Sequence, residues 1–232
     1  MAIALHASSP ALVTDEVDGT TPTAAFSPPA QSLLVAMAAA ADEDGSLTIS
    51  GGSLTWTRRA QRDIGGTFAL EIWTAPCAAG ATGITTTLTN NGFLGSFAAA
   101  LKVDVFTGAD LTTPTGATGQ NLTSTNASNV NAYTATAIGS RGVAVAVELN
   151  SLGLPSSTDD ESAFDLAQLD GMMIRKAANS ASLATVTFNL DAAGSSTASW
   201  EWLAVEIMPG AEALVAGRGR MLGQAVNRAA FY

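Results

Sequence analysis

Apolar and polar residues alternate with a period of two along much of this chain, and only an extended strand puts every second side chain on one face. Thr67–Thr74 reads TFALEIWT, with Phe68, Leu70 and Ile72 opposite Ala69, Glu71 and Trp73. Ser96–Thr107 sets Phe97, Leu101, Val103 and Val105 against Lys102 and Asp104. Gly142–Asn150 carries the stripe Val143, Val145, Val147 and Leu149. Leu183–Leu190 alternates Val186, Phe188 and Leu190 with Thr185, Thr187 and Asn189. Ala198–Met208 alternates Leu203, Val205 and Ile207 with Trp202 and Glu206. Such runs predict half-buried antiparallel strands. Weaker patterns predict further strands at Ser32–Ala38, Ser46–Ile49, Leu54–Arg59, Ile84–Thr89, Tyr133–Ile138 and Met172–Lys176.

Turn dipeptides punctuate these runs: Asp44-Gly45, Gly51-Gly52, Gly65-Gly66, Asn91-Gly92, Asp170-Gly171 and Pro209-Gly210. Roughly ten short strands joined in this way predict an all-β protein, an antiparallel β-sandwich of jelly-roll type. Ser162–Gln168 has room for one helical turn. Thr112–Asn131, rich in Thr, Gly, Asn and Ser, reads as a long surface loop or an edge strand. No repeat of 20–50 residues is visible. After Pro209-Gly210 the alternation stops. Arg218, Arg220 and Arg228 against Glu212 alone give residues 211–232 a charge of +2 and leave −12 for the rest. The chain therefore divides into a sandwich domain, 1–210, and a short C-terminal extension, 211–232. That extension has too few apolar residues for a core of its own. Being disordered, folding back as a helix, or docking on a neighbour all fit it. Docking suits its sparse anchors: Arg218, Arg220, Met221, Leu222, Arg228, Phe231 and Tyr232.

Composition narrows the function. Of 232 residues only 13% are charged, with a net charge of −10, where a soluble domain has about 25% charged residues. The acidic balance, with a sequence pI near 4.3, argues against nucleic acid as a partner. Mean hydropathy is high at +0.26. Even so, the longest apolar run, Leu33–Ala41, is far short of the roughly 20 residues that span a bilayer, so membrane insertion is not expected. The opening MAIALHASSP lacks the basic start of a signal peptide, which predicts synthesis in the cytosol without export. One His and one Cys leave little for metal ligation and nothing for an intrachain disulfide.

Chemistry-bearing groups are sparse. The acidic clusters Asp42-Glu43-Asp44 and Asp159-Asp160-Glu161, with Asp165 and Asp170 nearby, match no calcium loop and read as solvated turns. Glu71, Glu148, Glu201 and Glu206 sit in strand patterns, where a cleft-facing pair would suit glycoside hydrolysis; strand glutamates more commonly face solvent. Cys77, in the turn-like APCAAG, reads as a buried or idle thiol, and His6 as a surface or interface residue. No nucleophile elbow, P-loop or dinucleotide fingerprint occurs. Trp200 and Trp202, two apart, share one strand face. Exposed, together with Trp73, they would make a glycan-stacking platform; turned inward they pack between sheets. No catalytic residue, metal or cofactor is expected.

The order of several segments is informative. FSPPAQSLLVAMAAA (Phe26–Ala40), SGGSLTWTRRA (Ser50–Ala60), ALEIWTAPCAAGATGITTTLT (Ala69–Thr89), VDVFTGAD (Val103–Asp110) and SWEWLAVEIMPG (Ser199–Gly210) follow one another. This series resembles a loose group of jelly-roll-like β-sandwich proteins of tailed bacteriophages and their high-GC bacterial hosts, described as minor tail, fibre or virion structural proteins. The resemblance covers residues 1–210 and carries no catalytic or ligand motif. It implies a non-enzymatic structural subunit that projects from a particle as a tail, fibre, spike or head-surface component. Such a subunit would assemble in the host cytoplasm, with other virion proteins as partners and as a homo-oligomer. A carbohydrate-binding module for host surface glycan and a capsid decoration protein are the alternatives.

Overall fold

The computed structural model describes residues 1–16, 19–41, 47–65, 67–90, 98–123, 130–149, 154–191 and 199–211. Among them the chain forms sixteen strands and no helix. Residues 4–107 supply β1 (Ala4–Leu5), β2 (Val13–Asp15), β3 (Thr20–Pro22), β4 (Ser32–Ala41), β5 (Leu47–Gly51), β6 (Thr57–Ile64), β7 (Phe68–Cys77), β8 (Thr86–Asn90) and β9 (Ala98–Thr107). A large sheet has the order β1–β9–β4–β7–β6, with β2 also on β9, and a small one the order β3–β8–β5. The antiparallel pairs nest from outside inward: β2 with β9, β3 with β8, β4 with β7. Successive pairs fall in alternate sheets, which is the winding of a jelly roll.

Residues 115–207 repeat that winding. Their strands are β10 (Thr115–Thr123), β11 (Val130–Thr134), β12 (Arg141–Glu148), β13 (Asp160–Leu166), β14 (Leu169–Arg175), β15 (Thr185–Phe188) and β16 (Trp200–Ile207). The large sheet runs β10–β16–β12–β14–β13 and the small one is β11–β15. Here β10 pairs with β16, β11 with β15 and β12 with β14. The span 1–210, read from sequence as one sandwich, is thus wound twice, with a period near one hundred residues.

The two large sheets pack face to face, and each small sheet covers the far side of its own large sheet. The result is four layers enclosing three cores. The central core takes Leu33, Val35 and Met37 of β4, Leu70 and Ile72 of β7, Val143, Val145 and Val147 of β12, and Leu203, Val205 and Ile207 of β16. The alternate residues of β4, Leu34, Ala36, Ala38 and Ala40, face the first small sheet with Leu88, Leu101 and Val103. Ala144, Ala146, Trp200 and Trp202 face the second, with Tyr133 and Phe188. The half-buried strands predicted from alternation are therefore buried on both faces in β4, β9, β12 and β16. For β4 this explains SLLVAMAAAA: neither face meets water, so neither carries a charge. Small Ala on the outer face keeps the covering sheet close.

Backbone and side chains tie the windings together. Ala109 bridges Pro209, Gly210 N donates to Gly108 O at 2.8 Å and Asp110 N to Met208 O at 2.9 Å. The N-terminal ammonium donates to Gly210 O at 3.0 Å. Both ends of the sandwich thus meet where β9 and β16 finish. Arg62 of β6 pairs with Glu201 of β16, and Arg175 of β14 with Asp104 of β9 at 3.3 Å.

Two local expectations are corrected. Ser162–Gln168 is not helical: β13 runs through Leu166, because Phe164 reaches the central core and Ala163 packs the second outer core. Asp170-Gly171 is not a turn but lies inside β14; the turn falls at Ala167-Gln168. Gly171 is required by close approach. A Cβ there would stand 2.3 Å from Ala146 O and 2.6 Å from Cζ of its cross-strand partner Phe164. Thr112–Asn131 yields the edge strand β10 and the start of β11. The weak pattern at Leu54–Arg59 becomes β6, shifted to Thr57–Ile64. Strands as short as β1, β2 and β3 carry no periodicity to read. The turn pairs at 44–45 and 91–92, and Gly66, lie outside the described residues.

Gly171→Ala should cost about 2 kcal/mol through overpacking, which corresponds to a melting temperature about 4–8 °C lower for a chain of this size. Thermal unfolding followed by circular dichroism reads this directly. A melting temperature equal to the wild type would mean the ring of Phe164 is not seated over Gly171.

Candidate functional site

Glu71, Glu148, Glu201 and Glu206 are the strand carboxylates open to acid–base chemistry, and all four are buried. The expected solvent face does not exist for them, because their sheets are covered on both sides. Glu148 and Glu201 are one step apart on the β12–β16 ladder and so face opposite sides of the sheet. Glu71 belongs to the first winding. Glu206 lies opposite Gly142 and Glu148 opposite Trp200 on the β12–β16 ladder, six residues or about 20 Å apart. A glycosidase pair needs about 5–9.5 Å.

Glu206, Glu71 and Glu201 each have a structural task. Glu206 accepts backbone N–H bonds from Ala117 at 2.9 Å, Thr136 at 2.8 Å and Ala137 at 3.2 Å, and the Thr136 hydroxyl at 2.6 Å. Burial pushes its pKa up, but the Ser140 hydroxyl together with the Thr136 and Ala117 donors outweighs it and holds the carboxyl below its usual value. Glu71 accepts from Trp73 Nε1 at 2.6 Å and Arg58 at 2.8 Å; burial prevails there and its pKa is raised. Glu201 pairs with Arg62. Glu148, Asp170 and Asp165 stand side by side across β12, β14 and β13. Burial first, then the hydrogen bond and charge of Asp165, raise the pKa of Asp170.

The aromatic candidates separate. Trp200 and Trp202 share a face, as read from sequence, but at 2% and 4% exposure they pack the second outer core. They offer no stacking platform, which corrects their glycan-contact reading. That core lies outside the second large sheet, not between the two large sheets. Trp73 is half-buried, with Arg58 5.8 Å over its ring and its N–H held by Glu71. Cys77 is buried and free. His6 is half-buried, its Nδ1 2.8 Å from Ser8 Oγ. Asp159 and Asp160 are not solvated turns but ion pairs, with Lys176 at 2.5 Å and Arg175 at 3.3 Å; residues 42–44 lie outside the described residues. Arg218, Arg220, Met221, Leu222, Arg228, Phe231 and Tyr232 do so too. No cluster of three or more His, Cys, Asp or Glu suited to a metal occurs among the described residues.

All seven cations of residues 1–210 are tied to the protein. Besides the pairs above, Arg59 donates to Thr74 Oγ1 and Lys102 to Pro10 O. Arg141 donates to Lys176 O at 2.7 Å and Ala177 O at 2.9 Å. These last bonds anchor the β14–β15 loop, which walls a groove of about 390 Å³. Its floor is the Lys176–Asp159 pair; Asn179, Ser180, Ser182 and Thr185 line its sides. Asn179 Nδ2 reaches across to Ile3 O at 3.0 Å. Nothing in the KAANSASLA segment signals a groove by sequence, because it is made by loop packing. No family model, curated protein or solved structure matches the chain.

Two substitutions test this electrostatic reading with opposite signs. Glu206→Gln should cost about 2–3 kcal/mol at pH 7. Because its folded pKa is lowered, the wild-type advantage is present at neutral pH and lost as pH falls through that pKa. Asp170→Asn should instead stabilise by a few tenths to about 1 kcal/mol at pH 7, by removing a like-charge neighbour. Its pKa is raised, so the wild-type penalty applies above that pKa and fades on acidification. Urea unfolding at pH 7 and pH 3 checks both; a stabilising Glu206→Gln or a destabilising Asp170→Asn at pH 7 would refute the assignment.

Proposed function

We propose that the chain is a non-enzymatic structural subunit of a tailed phage or phage-like particle, joined to its neighbours through residues 211–232. The observation that carries this reading is the use made of buried charge. Arginines and lysines in the body clamp strands, loops and the two windings, and the buried glutamates hold backbone N–H groups or those cations. Such a body is a rigid, acidic block whose value lies in its surfaces. The basic C-terminal segment supplies a complement to that acidity. The resemblance noted in the sequence, over residues 1–210, points the same way, and jelly rolls recur in viral coats. Tail, fibre or spike and head-surface positions are equally compatible with this body. The glycan-binding module read through the Trp200/Trp202 pair has no support, since both rings are enclosed.

Shortening the chain after Gly210 should leave a folded body, because all sixteen strands end by Ile207, yet abolish its incorporation into particles. Gradient-purified particles probed by mass spectrometry and by antibody labelling in micrographs measure this and separate head from tail. Incorporation of the shortened chain at the full-length level would overturn the docking role. Absence of the full chain from particles would overturn the assignment itself.

A further inference from the structure

The end of the sandwich where the chain leaves the body carries a patch of exposed apolar side chains. Met1, Ile138 and Leu183 are 60%, 66% and 58% exposed, three of the six large apolar residues exposed among the described residues. Ile138 and Leu183 lie on two loops zipped together by Ala135 N to Ala184 O, Gly139 N to Ser180 O and Ser180 N to Ser140 O. A Cβ on Gly139 would meet Pro209 at 3.8 Å, so these loops flank the exit strand. Met1 is held there by its bond to Gly210 O. Beside Leu183 the groove opens, lined by Ser182 and Ala184.

We propose that this patch is the seat for residues 212–232 of a second copy of the chain. This rests on the docking role given above to the C-terminal segment and names its partner surface. Charge and reach argue for the occupant. Residues 211–232 carry +2 against −12 on the body, so segment and body attract each other. Leu214 and Val215 follow the exit closely, whereas Met221, Leu222, Val226 and Phe231 begin about ten residues after it. Ten extended residues span about 33 Å, the scale of a neighbouring molecule, whereas the patch of the same copy lies directly beside the exit. The groove beside Leu183 gives an aromatic end such as Phe231 somewhere to enter. The contact is heterologous, segment into patch, and closes into a ring or continues as a row.

Complementation between two full-length variants tests it. Ile138→Asp with Leu183→Asp spoils the patch and keeps the segment; Leu222→Asp with Phe231→Asp spoils the segment and keeps the patch. Light scattering after size exclusion should find the wild type oligomeric at 100 µM (about 2.3 mg/ml) and each variant monomeric, with at least a hundredfold weaker association. An equimolar mixture of the two should form dimers. A cooperative thermal transition and a wild-type far-ultraviolet circular dichroism spectrum establish that both variants are folded. A monomeric wild type, an oligomeric patch variant, or a mixture that stays monomeric would each overturn the proposal. If particles still incorporate the full chain but not the chain shortened after Gly210, the docking role survives that outcome with a different partner.

Discussion

Covering a sheet on both faces removes water from every position along its strands, and the rest of this molecule follows from that constraint. A one-sided sheet places its charges outward at no cost. Here β4, β9, β12 and β16 have no outward side, so polar groups within them must find partners in the protein. A buried carboxylate without a partner is costly, and one that accepts several N–H bonds is not. Glu206, the penultimate residue of β16, holds the backbone of β10 at Ala117 and of the loop after β11 at Thr136 and Ala137. Asp104, fully buried on β9, draws Arg175 across from the other winding and Lys102 along its own strand.

The cross-winding ties have a geometric consequence beyond their energy. Desolvation offsets most of the attraction in a buried ion pair, so its net stabilisation is small, while removing one member costs about 3–5 kcal/mol. Apolar contact in the central core is non-directional and would tolerate sliding of one sheet over the other. The Arg62–Glu201 pair joins an edge strand of one sheet to an inner strand of the other, and Arg175–Asp104 joins two inner strands elsewhere. With the bridge at Ala109 and Pro209, these fixed points define the relative position of the windings.

Much of the fold could be read from sequence, because alternation survives even where both faces are buried. Val143, Val145 and Val147 were separable from Ala144 and Ala146 by size alone, and the structure places them on different cores. Burial on the second face was not readable. Glu71 and Glu206 looked like solvent-facing residues because a polar residue in a strand has the same spacing whether it meets water or a ring of N–H donors. Asp170-Gly171 looked like a turn because glycine at a turn and glycine under an aromatic ring are the same letter. The second winding escaped because its kinship with the first lies in strand order and pairing, not in residue identity. The groove and the Ile138–Leu183 patch arise from loops that meet only in the fold, so no local pattern announces them.

The two windings have the same strand order but differ where it bears on assembly. In the first, β5 completes a three-stranded cover; among the described residues of the second no strand takes that place, and the cover is the narrower β11–β15 pair. The exposed Ile138 and Leu183 lie on the loops that join this narrower cover to its large sheet. The engagement of every body cation adds an electrostatic asymmetry, since positive charge outside the body's internal ties resides only in Arg218, Arg220 and Arg228. A body with a net charge of −12 presents an acidic balance to any neighbour, including its own copies. Copies of such a body repel unless a separate element supplies the opposite sign and some apolar area. Residues 211–232 hold both, and they begin at the end of the sandwich where Met1, Ile138 and Leu183 are exposed.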